Sequence, residues 1–204
     1  SEAVDIFNKI IKINSNDSQA YYNLGNALLG LKKFEEAFKS YNQAIKIKPD
    51  YKRVYNNRGI VLKELKQEKE ALENYNQAIK IEPNNADLYN NRGSILLELK
   101  KFEEALENYN QAIKLKPDYA EVYFNLGNVL KKLNRTEESI ERYNYAIKIK
   151  PNYVEAYNNL GNVLKELNRT EEAVKCYKKI ITINPNFDFL LGTLIHSKFI
   201  LCDW

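Results

Sequence analysis

Residues 120–153 read AEVYFNLGNVLKKLNRTEESIERYNYAIKIKPNY, and residues 154–187 read VEAYNNLGNVLKELNRTEEAVKCYKKIITINPNF. Laid one over the other, they align without a gap. The same frame extends to the rest of the chain. Gly25, Gly59, Gly93, Gly127 and Gly161 are each 34 residues apart. So are Pro49, Pro83, Pro117, Pro151 and Pro185, all the prolines of the sequence. Tyr41, Tyr75, Tyr109, Tyr143 and Tyr177 keep that spacing, as do Ala37, Ala71, Ala105, Ser139 and Ala173. A fixed period of this length marks stacked supersecondary units, each too small to bury its own apolar face.

With each glycine set at position 8, the full repeats are 18–51, 52–85, 86–119, 120–153 and 154–187. In the first, Tyr21, Leu24, Leu28 and Leu31 recur at helical spacing, and Phe34, Ala37, Phe38, Tyr41, Ala44 and Ile45 form a second stripe that Pro49 ends. Each repeat is therefore two short antiparallel helices, and small residues at positions 8, 20 and 27 let helices approach closely. Residues 1–17 continue the register backwards, with Ala3 at position 20 and Phe7 at position 24. They read as the second helix of a truncated repeat. Residues 188–204 read as a C-terminal helix, a linker toward a missing domain. The expectation is an all-α chain with eleven repeat helices and one tail helix.

Composition excludes several classes. The charge balance of 31 Lys and Arg against 27 Asp and Glu gives +4, too even to demand a nucleic acid or another polyanion. No 18-residue apolar run or basic-then-apolar leader is present, so no membrane partner or secretory signal is expected. The two cysteines, Cys176 and Cys202, make no disulfide framework and point to a reducing, cytoplasmic setting. The absence of any Met leads us to expect a piece of a longer protein. His196 is the single histidine and has no partner at triad or metal spacing. With no phosphate-binding loop or dinucleotide fingerprint either, no catalytic residue, metal or cofactor is expected.

The pattern Tyr-x-x-Leu-Gly-x-x-Leu, then Ala, Tyr, Ala and Pro, resembles the tetratricopeptide repeat (TPR) over residues 1–187. That resemblance implies a right-handed superhelix whose concave groove is lined by the first helices and holds protein or extended peptide. Positions 2, 6, 9 and 13 share the groove face. Position 6 is Asn23, Asn57, Asn91, Asn125 and Asn159; position 9 includes Asn26, Asn128 and Asn162. An amide carries donor and acceptor together and can pair with a peptide group, so these eight are the candidate peptide-binding residues. The competing reading is that they only tie neighbouring helices together. The chaperone-clamping TPR subclass is disfavoured, because position 6 offers no cation.

A closer resemblance is to the TPR arm of O-linked N-acetylglucosamine transferases and SPINDLY-type proteins. It is carried by the position-6 asparagines and by the tail from Phe189 to Cys202-Asp-Trp204. It implies a substrate-presenting arm of a glycosyltransferase. The alternative is a free-standing TPR scaffold with no linked enzyme. The apolar tail 188–204 is expected to self-associate or to dock on the fifth repeat.

Four local expectations complete the reading. Lysines ending the second helices, such as Lys46, Lys48, Lys148 and Lys150, are structural and suit the helix dipole. Thr136 and Thr170 should cap the helices that follow Asn134 and Asn168. Arg58 and Arg92, in place of Leu at position 7, must each find a carboxylate or reach water. Ile180, where four repeats have Ala, alters packing toward whatever follows.

Overall fold

The computed structural model describes residues 1–184. The tail expectations, with His196 and Cys202, fall outside that range. The chain falls into two compact units, Ser1–Leu115 and Lys116 onward. The first holds α1 (Glu2–Ile13), α2 (Ser18–Gly30), α3 (Phe34–Ile47), α4 (Lys52–Glu64), α5 (Glu68–Ile81), α6 (Ala86–Glu98) and α7 (Phe102–Leu115). The second holds α8 (Ala120–Lys132), α9 (Thr136–Ile149), α10 (Val154–Glu166) and α11 (Thr170–Ile183). These are the eleven expected repeat helices, and no strand occurs among the described residues. In each unit every helix packs on the next in sequence, and the hairpins α2–α3, α4–α5, α6–α7, α8–α9 and α10–α11 are the tightest pairs.

Why the hairpins close so tightly is visible at position 8. A Cβ built on Gly25 would lie 2.4 Å from the Tyr41 ring, and one on Gly59 would lie 2.5 Å from Tyr75. The glycine is a seat for the tyrosine, which is buried in all five repeats. Ala37, Ala71 and Ala105 at position 20, and Ala44, Ala112 and Ala146 at position 27, are fully buried beside it. Ile180 is fully buried as well, packed with Leu160, Val163, Leu164 and Tyr177.

The turn within each hairpin carries a residue in left-handed backbone: Lys32, Lys66, Lys100, Asn134 and Asn168, with φ from 58 to 61°. After α2 the Lys32 N–H donates to the Leu29 carbonyl and the Lys33 N–H to the Leu28 carbonyl. Those two bonds form a Schellman closure, which satisfies carbonyls the helix end would otherwise orphan.

Two local expectations change. Thr136 and Thr170 begin α9 and α11 but do not cap them. The preceding residues, Arg135 and Arg169, make no side-chain cap bond. Instead, the Arg135 Nε donates to Glu138 at 2.6 Å and the Arg169 Nε to Glu172 at 2.7 Å. An arginine fork thus holds a carboxylate over the helix N-terminus, where the dipole favours it. The lysines also do more than face the dipole. Lys48, Lys116 and Lys150 lie over the rings of Tyr51, Tyr119 and Tyr153, the last at 4.5 Å.

Candidate functional site

The first helices of the repeats, α2, α4, α6, α8 and α10, carry the candidate asparagines. Within the first unit α4 packs against α2, and the Asn57 amide donates across to Asn26 Oδ1 at 2.8 Å. The same oxygen accepts the Tyr41 hydroxyl at 2.8 Å. In the second unit Asn159 Nδ2 donates to Asn128 Oδ1 at 2.8 Å, and the Tyr143 hydroxyl joins it there at 2.8 Å. Asn162 accepts the Tyr177 hydroxyl at 2.9 Å. Position 9 of the second repeat is Ile60, and Asn91 accordingly turns to Asn56 Oδ1 at 3.0 Å. Asn23 accepts from Gln19 Nε2 within its own helix, and Asn125 is engaged too.

The tyrosine hydroxyls are the members sequence reasoning missed. Position 24 reads as packing, because its apolar periodicity accounts for it. The available signal was a tyrosine fifteen residues after a position-9 Asn, as in Asn26 and Tyr41. Burial pushes the Tyr143 hydroxyl up to about 12, against a weaker lowering by its neighbour Asn159. Tyr41 is raised further, again by burial first. Both hydroxyls therefore remain protonated donors at any physiological pH.

That fixes the polarity of the amides. With two donors aimed at its Oδ1, Asn26 must turn its NH2 away from the helix-to-helix bond, and Asn128 must do the same. No described residue takes either NH2 group. Asn57 and Asn159 spend an N–H on the inter-helix bond, which turns their own Oδ1 the other way. Asn57 Oδ1 has only a long 3.4 Å approach from Asn56. Each network thus combines an oriented donor with an oriented acceptor on half-buried side chains.

The two arginines find different solutions, and neither reaches a carboxylate. Arg92 Nε donates to Asn108 Oδ1 at 2.7 Å and its NH1 to Asn76 Oδ1 at 2.9 Å. Arg58 lies over the Phe38 ring at 5.6 Å, and its buried Nε meets no acceptor. Burial lowers the pKa of both guanidiniums. Cys176 is buried and free, its thiol pushed up to about 11 by burial, the opposite of an activated nucleophile. No group of three or more metal-ligating side chains occurs among the described residues. No described helix is long and apolar enough to cross a membrane.

Helix pairs packed one on the next, with no strand among the described residues, define an α-solenoid. The comparisons with known proteins agree. A family model described as "TPR repeat" matches residues 62–100, 93–134 and 127–168, and one described as "Tetratricopeptide repeat" matches 18–51 and 154–187. The chain belongs to the tetratricopeptide repeat family, whose repeats form protein–protein interaction scaffolds. No curated protein matches the sequence. Among solved structures it is similar to YrrB, described as a TPR protein with an unusual peptide-binding site, at 25% identity and TM-score 0.71, covering 94% of this chain and 98% of that one. It is also similar in fold to pilF of Pseudomonas aeruginosa, at 23% identity and TM-score 0.81, covering 91% and 85%. TTC0263, a thermophilic TPR protein of Thermus thermophilus, shares the fold at 19% identity and TM-score 0.71, covering 90% and 100%.

Proposed function

We propose that the chain is a scaffold that holds extended protein segments against its first helices, gripping their backbone through the oriented amides. The observation that carries this reading is the pair of networks Tyr41–Asn26–Asn57 and Tyr143–Asn128–Asn159. Each secures one end of an amide inside the fold and aims the other outward. A peptide group needs one donor and one acceptor, and each network offers both without a conformational search. Backbone recognition gives modest affinity and weak sequence preference.

A free-standing scaffold in a reducing, cytoplasmic setting accounts for these features. Its support is the similarity to YrrB and TTC0263, each covered almost end to end by this chain. The arm of a glycosyltransferase is the second reading, and it rests on the tail ending Cys202-Asp-Trp204. Asn26, Asn57, Asn91, Asn128, Asn159 and Asn162 also tie helices together, so alanine is a poor probe of binding. Asn26→Asp and Asn128→Asp are better. An Asp keeps an oxygen for the tyrosine and the neighbouring Asn while replacing the outward NH2 with a second acceptor. Fluorescence anisotropy with an uncharged, unstructured peptide should show capture by the parent chain and much weaker capture by the double variant, at similar helix content. Equal capture by a folded double variant would sink the proposal.

A further inference from the structure

Each of the two amide networks has an aromatic floor beside it. In the first unit Tyr22 of α2 meets Tyr51, the residue before α4, with ring centres 5.2 Å apart. In the second, Phe124 of α8 meets Tyr153, the residue before α10, also at 5.2 Å. The rims of these floors differ. The Tyr51 hydroxyl donates to Gln19 Oε1 at 2.6 Å, and Arg53 stands at position 2 of the next repeat. In the second unit those two places are taken by Glu121 and Glu155.

Tyr153 singles out the second unit. It is only 9% exposed, yet its hydroxyl has no hydrogen-bond partner among the described residues. Burial first, and then the fields of Glu121 and Glu155, push that hydroxyl up to about 12, so both carboxylates lie close to it. Both are exposed, and Glu155 pairs with no described cation. Lys150 lies over the face of the Tyr153 ring at 4.5 Å, so two carboxylates meet one ammonium and the site keeps a net negative charge. Acids suit the N-termini of α8 and α10. But the first turn of α4 holds Arg53 and no acid, so the fold does not require one there.

We propose that the second unit selects extended segments carrying a lysine, whose ammonium enters between Glu121 and Glu155 at the Tyr153 hydroxyl. An ammonium brings three donors and no acceptor, and the two carboxylates and the hydroxyl oxygen supply three acceptors. Glu155 lies four residues before Asn159, about 6 Å along α10. The four-carbon stem of a lysine covers that distance. A segment gripped by the Asn128–Asn159 network can therefore deliver its side chain to the carboxylates. In the first unit Arg53 repels the same group.

This inference rests on the peptide-gripping reading and adds a side-chain preference to it. Its test is fluorescence anisotropy at low salt with two unstructured peptides that differ in one central residue, Gln or Lys. The parent chain should bind the lysine peptide roughly threefold to tenfold more tightly, the scale of one or two exposed ion pairs. High salt should shrink the preference. Glu121→Gln with Glu155→Gln should bring the ratio of affinities to about one. Glu103→Gln with Glu107→Gln removes the same charge from exposed positions of α7 and should leave the ratio intact. Circular dichroism checks that each variant keeps its helix content. Equal affinity of the parent chain for the two peptides overturns the inference while the peptide-gripping reading stands, and capture of neither peptide overturns both. A preference that survives the loss of Glu121 and Glu155, or that falls equally with the α7 pair, overturns it as well.

Discussion

Replacing Arg58 by Leu should stabilise the protein, whereas the same change at Arg92 should not. Three repeats already place Leu at this position, and Leu24, Leu126 and Leu160 are 8%, 3% and 4% exposed. The site therefore accepts a leucine, whose burial contributes about 1.5–3 kcal/mol. At Arg58 little opposes that gain. Its Nε is buried without an acceptor, a defect of about 1–3 kcal/mol that the substitution removes. The loss is a cation–π contact with Phe38, about 0.5–1 kcal/mol at a partly exposed site. Because the flexible arginine stem already covers part of the same surface, we expect a net gain of about 1–2 kcal/mol. At Arg92 the substitution strands the buried Asn108 Oδ1 that its Nε satisfies, so burial and the orphaned oxygen roughly cancel and the result lies between no change and a loss of about 1 kcal/mol. Both variants remove one positive charge, so long-range electrostatics drops out of the comparison. Urea unfolding followed by circular dichroism would compare midpoints at matched slope. A lower midpoint for Arg58→Leu, or equal shifts in the two variants, would refute the reasoning.

Three other outcomes follow from the geometry. Lys66→Gly, at φ 59°, should raise the thermal midpoint by the equivalent of about 1 kcal/mol, because glycine carries no Cβ penalty in left-handed backbone. Asn134→Gly should gain less, since asparagine tolerates that conformation better. Gly59→Ala should destabilise by about 1–3 kcal/mol, as overpacking against the buried Tyr75 ring, and near-ultraviolet dichroism of the tyrosines would report it. The folded Cys176 thiol is raised from 9.0 to about 11. Between those values the unfolded chain loses a proton that the native state keeps, so stability should fall as pH rises from 9 to 11. Cys176→Ala should flatten that part of the profile in chemical unfolding across the range.

Period and small-residue spacing made the helix pairs legible, because Gly25 and Tyr41 encode a contact whose geometry recurs five times. The turns were less legible. Lys32 and Lys66 give no sign of left-handed backbone, since the closure is imposed by the helix end they follow. Thr136 looked like a cap because its type is right. The arginine before it defeats that reading by recruiting Glu138, a pairing that depends on side-chain reach. At the candidate site the position-6 asparagines were evident, but their orientation was not. It depends on Tyr41 and Tyr143, which an apolar count places in the core and leaves there. The arginines held a signal that went unused: the two repeats with Arg at position 7 are the two with Asn at position 23, Asn74 and Asn108.

The polar bonds differ in what they demand of neighbouring repeats. Arg92 and Asn108 lie in one repeat, so a duplication or transplant carries both partners along. Asn57 and Asn26 lie in successive repeats, and the bond exists only when the predecessor supplies an amide at position 9. The second repeat, with Ile60 there, cannot serve as that predecessor, and Asn91 settles for Asn56. The order of repeats is thus constrained by a rule of succession. Shuffling whole repeats would preserve every internal pair while removing the amide-to-amide bond wherever a repeat with Ile60 or Ser94 at position 9 came first, so permuted arrays of the same five parts would fold alike and pair their amides differently.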